Sequence, residues 1–410
     1  MTAAELPSPW PRTFRALRHR NFRLFWASDV ISSTGTWMQT VALGWLVYRL
    51  TDSPLMLGVI NVVALVPVVP FSLLAGVMSD RFPRRPLILI SESLTMIQVF
   101  VLALLTWLNV VQVWHVIVLT FGLALVAAME QPARLAFVKD TVGRNDLTNA
   151  VALNASARNA SRVVGPALAG VLIAWLGEAL CFFLNGLSYL PVIGAVVAIR
   201  LPAARQTKEP LSAAGGLLDG FTYIRRTPVI RALMSIVAIS SFFTLPYVAL
   251  MPVFADDVLG VGAQGLGYLT AAVGIGAAVG ALGVANIRME TQERWLAWGG
   301  LAASVLLIGF CLSRSYFASL VLIFLVAAGN IVRQALSNSL LQLRSDEAYH
   351  GRVMSVFNLL FVGMTRLGAL AAGALAEYLG APLAVGLGAA VSLVWGVYIA
   401  WRMPHRERGV

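Results

Sequence analysis

Apolar residues in this chain come in runs long enough to cross a bilayer, and that pattern limits the fold more than any motif. A membrane-spanning helix needs about 20 mostly apolar residues in a row. About twelve such runs follow one another: 24–48, 54–78, 86–108, 114–138, 149–176, 179–199, 231–253, 264–285, 295–312, 316–341, 353–379 and 382–401. Of the 410 residues 59% are hydrophobic and 12% charged, so little chain is left for a soluble domain. The pattern predicts an all-α membrane protein with twelve transmembrane helices. The first twenty residues lack the apolar core and small-residue cleavage site of a signal peptide, which leaves targeting to the first span.

A formal net charge of +11 invites a nucleic-acid reading, but the cations sit at alternate helix ends. Arg12, Arg15, Arg18, Arg20 and Arg23 precede span one; Arg81, Arg84 and Arg85 follow span two; Lys139 and Arg144 follow span four. Arg200, Arg205, Lys208, Arg225, Arg226 and Arg231 lie between spans six and seven, and further arginines follow spans eight, ten and twelve. The opposite connections hold only Arg49 and Arg314. By the positive-inside rule both termini and the 200–231 loop are expected in the cytoplasm. Topology then accounts for the positive charge, and no nucleic-acid surface is needed. Cys181 and Cys311 fall inside apolar runs and read as small hydrophobes.

The chain also repeats itself at a shift of about 203 residues, as transporters built from two related halves do. "RVVGPALAGVLIAWLG" (162–177) aligns with "TRLGALAAGALAEYLG" (365–380), and "EQ" at 130–131 meets "RQ" at 333–334. "GVMSDR" at 76–81 has a weaker echo in "GVANIR" at 283–288, which lacks the acid. The expected organisation is an N-terminal six-helix bundle over 1–199, a connector loop over 200–230 and a C-terminal six-helix bundle over 231–410.

The stretch "GVMSDRFPRR" between spans two and three resembles the loop signature of the major facilitator superfamily. Gly76, Asp80, Arg81, Arg84 and Arg85 match it, while Pro83 stands where a second glycine is usual. "VALGWLVYRLTDSPLMLG", "PARLAFVKDTV…DLTNAVALNAS" and "RNASRVVGPALAG" are similar to the branch holding the enterobactin exporter and macrolide-efflux-type permeases. The resemblance spans essentially the whole chain. It implies the major facilitator fold of two pseudo-symmetric bundles, a bacterial cytoplasmic (inner) membrane, and a central cavity lined by spans 1, 4, 7 and 10. It also implies that Asp80 bonds to the N-terminus of span 11, around Gly351 to Ser355, and latches the halves on the cytoplasmic side.

Ionisable residues inside spans are costly, about 3 kcal/mol or more each, and mark functional candidates by default. Asp29 lies about seven residues into span 1, with Ser33, Thr36 and Thr40 continuing its face. Glu130 and Arg134 lie one turn apart late in span 4. The repeat mate of Glu130 is Arg333 on span 10, so the two could pair between halves. Arg158 and Arg162 on span 5, Arg366 on span 11 and Glu92 on span 3 complete the population. Two readings stay open: ion pairs that lock the halves, or substrate contact and proton carriage by at least one acid. Asp29 is the first choice for a titrating group, because no base lies within a turn of it in sequence; Glu130 is the second. Phe243 and Tyr247, at i and i+4 on a span with Pro246 and Pro252 able to bend it, read either as a platform for an amphipathic substrate or as plain packing. In exporters of the superfamily coupled to protons, span 5 carries glycines around Gly-Pro; Gly165, Pro166 and Gly170 match, while Ala152, Ser161 and Ala169 replace glycines.

Other chemistries find no support. "GVGAQG" (260–265) opens a membrane helix rather than following a strand, so it is no dinucleotide site, and no lysine follows a glycine as a P-loop requires. Four scattered histidines and two distant cysteines make no metal constellation. The expectation is therefore a secondary active transporter, not an enzyme: a monomer without cofactor that exports a small amphipathic molecule in exchange for protons. Uptake or uncoupled permeation on the same fold, and a non-transporting partner subunit, are the rivals.

Overall fold

The computed structural model describes residues 12–68, 83–143, 146–199 and 213–402. Among the described residues six α-helices precede the connector: α1 (Arg20–Thr51), α2 (Pro54–Val63), α3 (Arg84–Trp107), α4 (Val113–Val142), α5 (Leu147–Leu176) and α6 (Glu178–Ala198). α7 (Ala213–Arg226) lies within the connector, and α8 (Pro228–Ile239), α9 (Gly262–Val284), α10 (Gln292–Leu312), α11 (Tyr316–Arg344), α12 (His350–Leu379) and α13 (Ala381–Arg402) follow. Among the described residues ten helices are long and apolar enough to cross a membrane. α1 has 32 residues, long enough to cross although diluted by its serines and threonines, and α2 is a shorter apolar helix of ten residues. At 1.5 Å per residue α1 runs about 48 Å, more than the roughly 30 Å of hydrocarbon it has to cross.

Helix ends follow local chemistry. Pro54 occupies the first turn of α2, where its missing N–H costs nothing, and Ser53 caps that turn by accepting from the Met56 N–H. Glu377, from α12, accepts from the Leu55 N–H at 3.2 Å and from the Ser53 hydroxyl at 2.8 Å, placing an anion at the positive end of α2. α5 and α6 are joined through Gly177 alone, and α12 and α13 through Gly380 alone, both at φ +80° in the left-handed region that glycine enters without steric cost. These two hairpins are repeat mates: each first helix has 30 residues, and their bounds differ by about 203 positions. The duplication is thus visible in backbone geometry.

Two departures from the sequence reading concern the middle of the chain. The connector is not loop throughout, since Ala213–Arg226 forms α7. Tyr223 of α7 stacks on Tyr349, ring centroids 4.4 Å apart, and Asp219 lies 3.5 Å from Arg352 near the start of α12. Span seven is helical but broken: π turns at Ser240–Thr244 and Phe254–Val258 flank a 3-10 turn at Leu245–Val248. Pro246 and Pro252 supply no N–H to the helical ladder, which is why the bend expected there takes this form.

By packing, the chain forms two compact units, Met1–Thr40 with Val66–Gly165 and Leu176–Pro210, and Val41–Leu65 with Pro166–Trp175 and Leu211–Val410. In the first, Phe22 and Phe25 of α1 pack with Ile88 of α3, Phe137 of α4 and Val192 of α6. In the second, Leu233 of α8 packs with Leu336 and Leu340 of α11 and Val353 and Phe357 of α12. The far end of α1, the start of α2 and a stretch of α5 belong to the second unit. Small residues permit the approach: a Cβ on Gly170 would lie 2.6 Å from the Cα of Gly267, too close for any side chain.

Candidate functional site

The first polar site is built around Arg134, near the end of α4. Its Nη2 lies 2.9 Å from Asp29 Oδ1 on α1 and 3.0 Å from Glu92 Oε1 on α3, while its Nη1 lies 3.1 Å from Glu130 Oε1 one turn back on α4. The Phe25 ring covers the guanidinium at 5.5 Å. Asp29, Glu92 and Glu130 are all buried. Arg158, on α5, adds a further positive charge that acts on Glu130. Three acids therefore converge on one base, a formal charge of −2 if all are ionised. Asp29 has no base within a turn of its own helix, yet α4 brings Arg134 to it. Glu92, which the sequence placed only in the general population, is a full member.

The second polar site is built around Arg333, the repeat mate of Glu130. On α11 the side chains of Asn330, Arg333, Gln334 and Ser337 share one face at i, i+3, i+4 and i+7. They line a cavity of about 270 Å³, its open mouth included, together with Val237, Ser240 and Ser241 of span seven, Leu245 and Phe361. Arg333 is 6% exposed; its Nη2 donates to Asn330 Oδ1 at 2.6 Å. No carboxylate among the described residues forms an ion pair with it. Glu130 and Arg333, which the sequence suggested as partners, are each held by neighbours on their own helix, Arg134 and Asn330.

The other sequence candidates take varied places. Arg162 stacks its guanidinium over Trp37 at 5.4 Å, Arg158 is exposed, and Arg366 donates from Nη1 to the Asn61 carbonyl on α2 at 3.2 Å. Thr36 is exposed on α1 and donates to the Ser32 carbonyl, whereas Phe243 is half-buried and Tyr247 only 2% exposed. Tyr247 is thus packed, and it acts electrostatically on Arg333. A Cβ on Gly165 would meet the Trp37 Cβ at 2.6 Å, so that glycine lets α5 touch α1; Pro166 lies inside α5. Arg84 pairs with Asp140 at 2.6 Å, and Arg85 donates to the Val197 carbonyl at 2.5 Å. Gly76, Asp80 and Arg81 lie outside the described residues. Just before the first residue of α5, Asp146 is buried under Arg15, Arg18 and His19, with His19 Nε2 2.7 Å from its Oδ2. Burial alone would push this carboxyl up, but the His19 hydrogen bond and the two guanidiniums hold it below the usual carboxylate range.

Twelve spans in repeated halves, with charged clusters buried between the helices, match a known family model. The model, described as transmembrane secretion effector, matches residues 12–409. The chain belongs to this family of major facilitator transporters. Its relatives and fold neighbours are membrane transporters, not enzymes. The multidrug efflux pump Tap of Mycobacterium tuberculosis is 25% identical over 92% of both chains. The enterobactin exporter EntS of Shigella flexneri is 26% identical, over 74% of this chain and 72% of that one. The staphyloferrin A transporter of Staphylococcus aureus is 28% identical over 45% of this chain, and this match spans only about half of that relative, 48%. Among solved structures, a POT family transporter in complex with 5-aminolevulinic acid superposes with a TM-score of 0.74 at 12% identity, covering 94% of this chain and 96% of that one. That likeness concerns the fold.

Proposed function

We propose that this transporter exports a small amphipathic molecule across a bacterial inner membrane in exchange for protons. The observation that carries the reading is the Arg134 site. One guanidinium neutralises one carboxylate, and two like charges about 5 Å apart repel by roughly 3 kcal/mol even at an effective dielectric constant of 20. Full ionisation of Asp29, Glu92 and Glu130 inside the membrane is therefore costly, and protons on two of them make the cluster neutral. Movement that takes any acid away from Arg134 changes how many protons the cluster holds, which ties proton uptake and release to alternating access. The outward direction draws support from the relatives described as an efflux pump and an exporter, one of which matches over 92% of the chain.

The test is flux in proteoliposomes loaded with a pH-sensitive dye. Addition of siderophores and antibiotics under an imposed pH gradient should move protons with at least one compound, and Asp29→Asn or Glu92→Gln should reduce that movement by about tenfold or more. A flat trace with every compound, or full coupling in both variants, rejects proton exchange.

A further inference from the structure

We infer that the Arg333 cavity is an anion subsite, so that the transported molecule carries an acidic head group such as a carboxylate, catecholate or sulfonate. The inference rests on the transporter reading above and names its substrate class. An arginine keeps its charge in any protein setting, so burial at 6% exposure cannot be relieved by losing a proton. A buried cation is normally matched by an anion, and the described partners of Arg333, the Asn330 oxygen and the Tyr247 phenol, are not carboxylates.

The surroundings point the same way. Asn330 Nδ2, Ser241 Oγ and Ser337 Oγ are buried and lack hydrogen-bond partners. An amide N–H₂ and two hydroxyls are all able to donate, and with the guanidinium they gather donors around one cavity that has no carboxylate among its lining residues. Buried polar groups are nearly always satisfied in a working protein, so the shared missing element is an acceptor, best an anionic one. The break in span seven contributes: the π turn at Ser240–Thr244 carries Ser241 into this set.

Size and lining narrow the ligand. The cavity is narrow and open at its mouth, so it admits no more than a small head group and leaves the rest of a ligand outside. Val237, Leu245 and Phe361 give it apolar walls beside the donors, which suits an acid borne on an aromatic or aliphatic body.

The experiment measures binding by calorimetry on the full-length protein in phosphatidylcholine nanodiscs. The probes are 2-naphthoate, the uncharged 2-naphthalenemethanol and the cationic 2-naphthylmethylammonium. Naphthoate should bind at least about tenfold more tightly than the other two. Arg333→Gln should abolish that preference and Arg333→Lys should keep part of it. If Arg333→Gln does not fold, Ser241→Ala and Ser337→Ala serve instead, each weakening naphthoate a few-fold with an unchanged melting temperature. Equal affinity for the three probes, or a preference that survives Arg333→Gln and both serine variants, overturns the inference. Loss of naphthoate binding in phosphatidylglycerol nanodiscs would assign the site to a lipid phosphate and overturn it equally. No gradient is applied, so failed proton exchange with an intact anion preference would reject the coupling and leave the subsite standing.

Discussion

α4 and α11 are repeat mates that begin at matching positions, yet they have divided charge in opposite ways. α4 carries Glu130 and Arg134; the equivalent positions on α11 are Arg333 and Ser337. On α4 three acids crowd one base, and on α11 a base stands with amide and hydroxyl donors and no acid partner among the described residues. A duplicated scaffold gives two equivalent places on repeat-mate helices, and here one has excess negative charge and the other excess positive. With every group ionised neither place is neutral by itself, and the two proposals above give each a mobile ion of opposite sign: protons at α4, an acidic head group at α11.

The comparison breaks most severely at Arg134. Arg134→Gln leaves three buried acids without their cation, and a folding loss of about 3–5 kcal/mol is expected, read as a collapse of the melting temperature in detergent. An unchanged melting temperature would mean that the acids are already protonated and the base idle. A sharper variant makes the second site resemble the first. Asn330→Asp is isosteric, sits 2.6 Å from Arg333 Nη2, and would supply the missing carboxylate. Naphthoate affinity should fall about tenfold or more while the protein stays as stable as before. The pair Glu92→Gln and Glu130→Gln should each flatten the pH dependence of flux without unfolding the chain, because each leaves Arg134 two acids.

A smaller effect is expected at Asp146, outside the spans, which serves as a control for charge that is structural only. Its folded carboxyl is held below the ordinary range, so its contribution is present above the unfolded value and is lost as pH falls through the folded one. Asp146→Asn should lower stability by roughly 1–3 kcal/mol near neutrality, since its arginine partners are about a third exposed and screened by solvent. The difference from the native chain should vanish at strongly acid pH, and naphthoate binding should not change. A pH-independent difference would show that packing, not charge, holds the N-terminal segment.

Much of the fold was legible because hydrophobic runs report helix length directly: α9, expected at 264–285, spans Gly262–Val284, and α12, expected at 353–379, spans His350–Leu379. α7 was hidden because the polar, basic connector has the composition of a loop. The sites were legible residue by residue but not as assemblies. Glu130 and Arg134 share a helix, so their contact could be read from spacing. Asp29 and Glu92 reach Arg134 only through tertiary packing, and the absence of a nearby base in sequence said nothing about a base from α4. The polar face Asn330, Arg333, Gln334 and Ser337 was available from helical periodicity, but only the three-dimensional structure shows its donors unsatisfied.

The single-glycine joints at Gly177 and Gly380 have a consequence for how the chain is made. A connection of one residue closes almost no loop, so α5 with α6, and α12 with α13, meet at almost no cost in chain entropy. Each pair is expected to enter the bilayer as a preformed hairpin during synthesis, ahead of contacts that need distant segments. The joint is also unforgiving: at φ +80° any side chain is strained, and Gly177→Val would hinder closure by about 1–2 kcal/mol before a substrate or a proton were ever met. Order of assembly, and not only the finished transport cycle, is thus written into two residues that have no side chain.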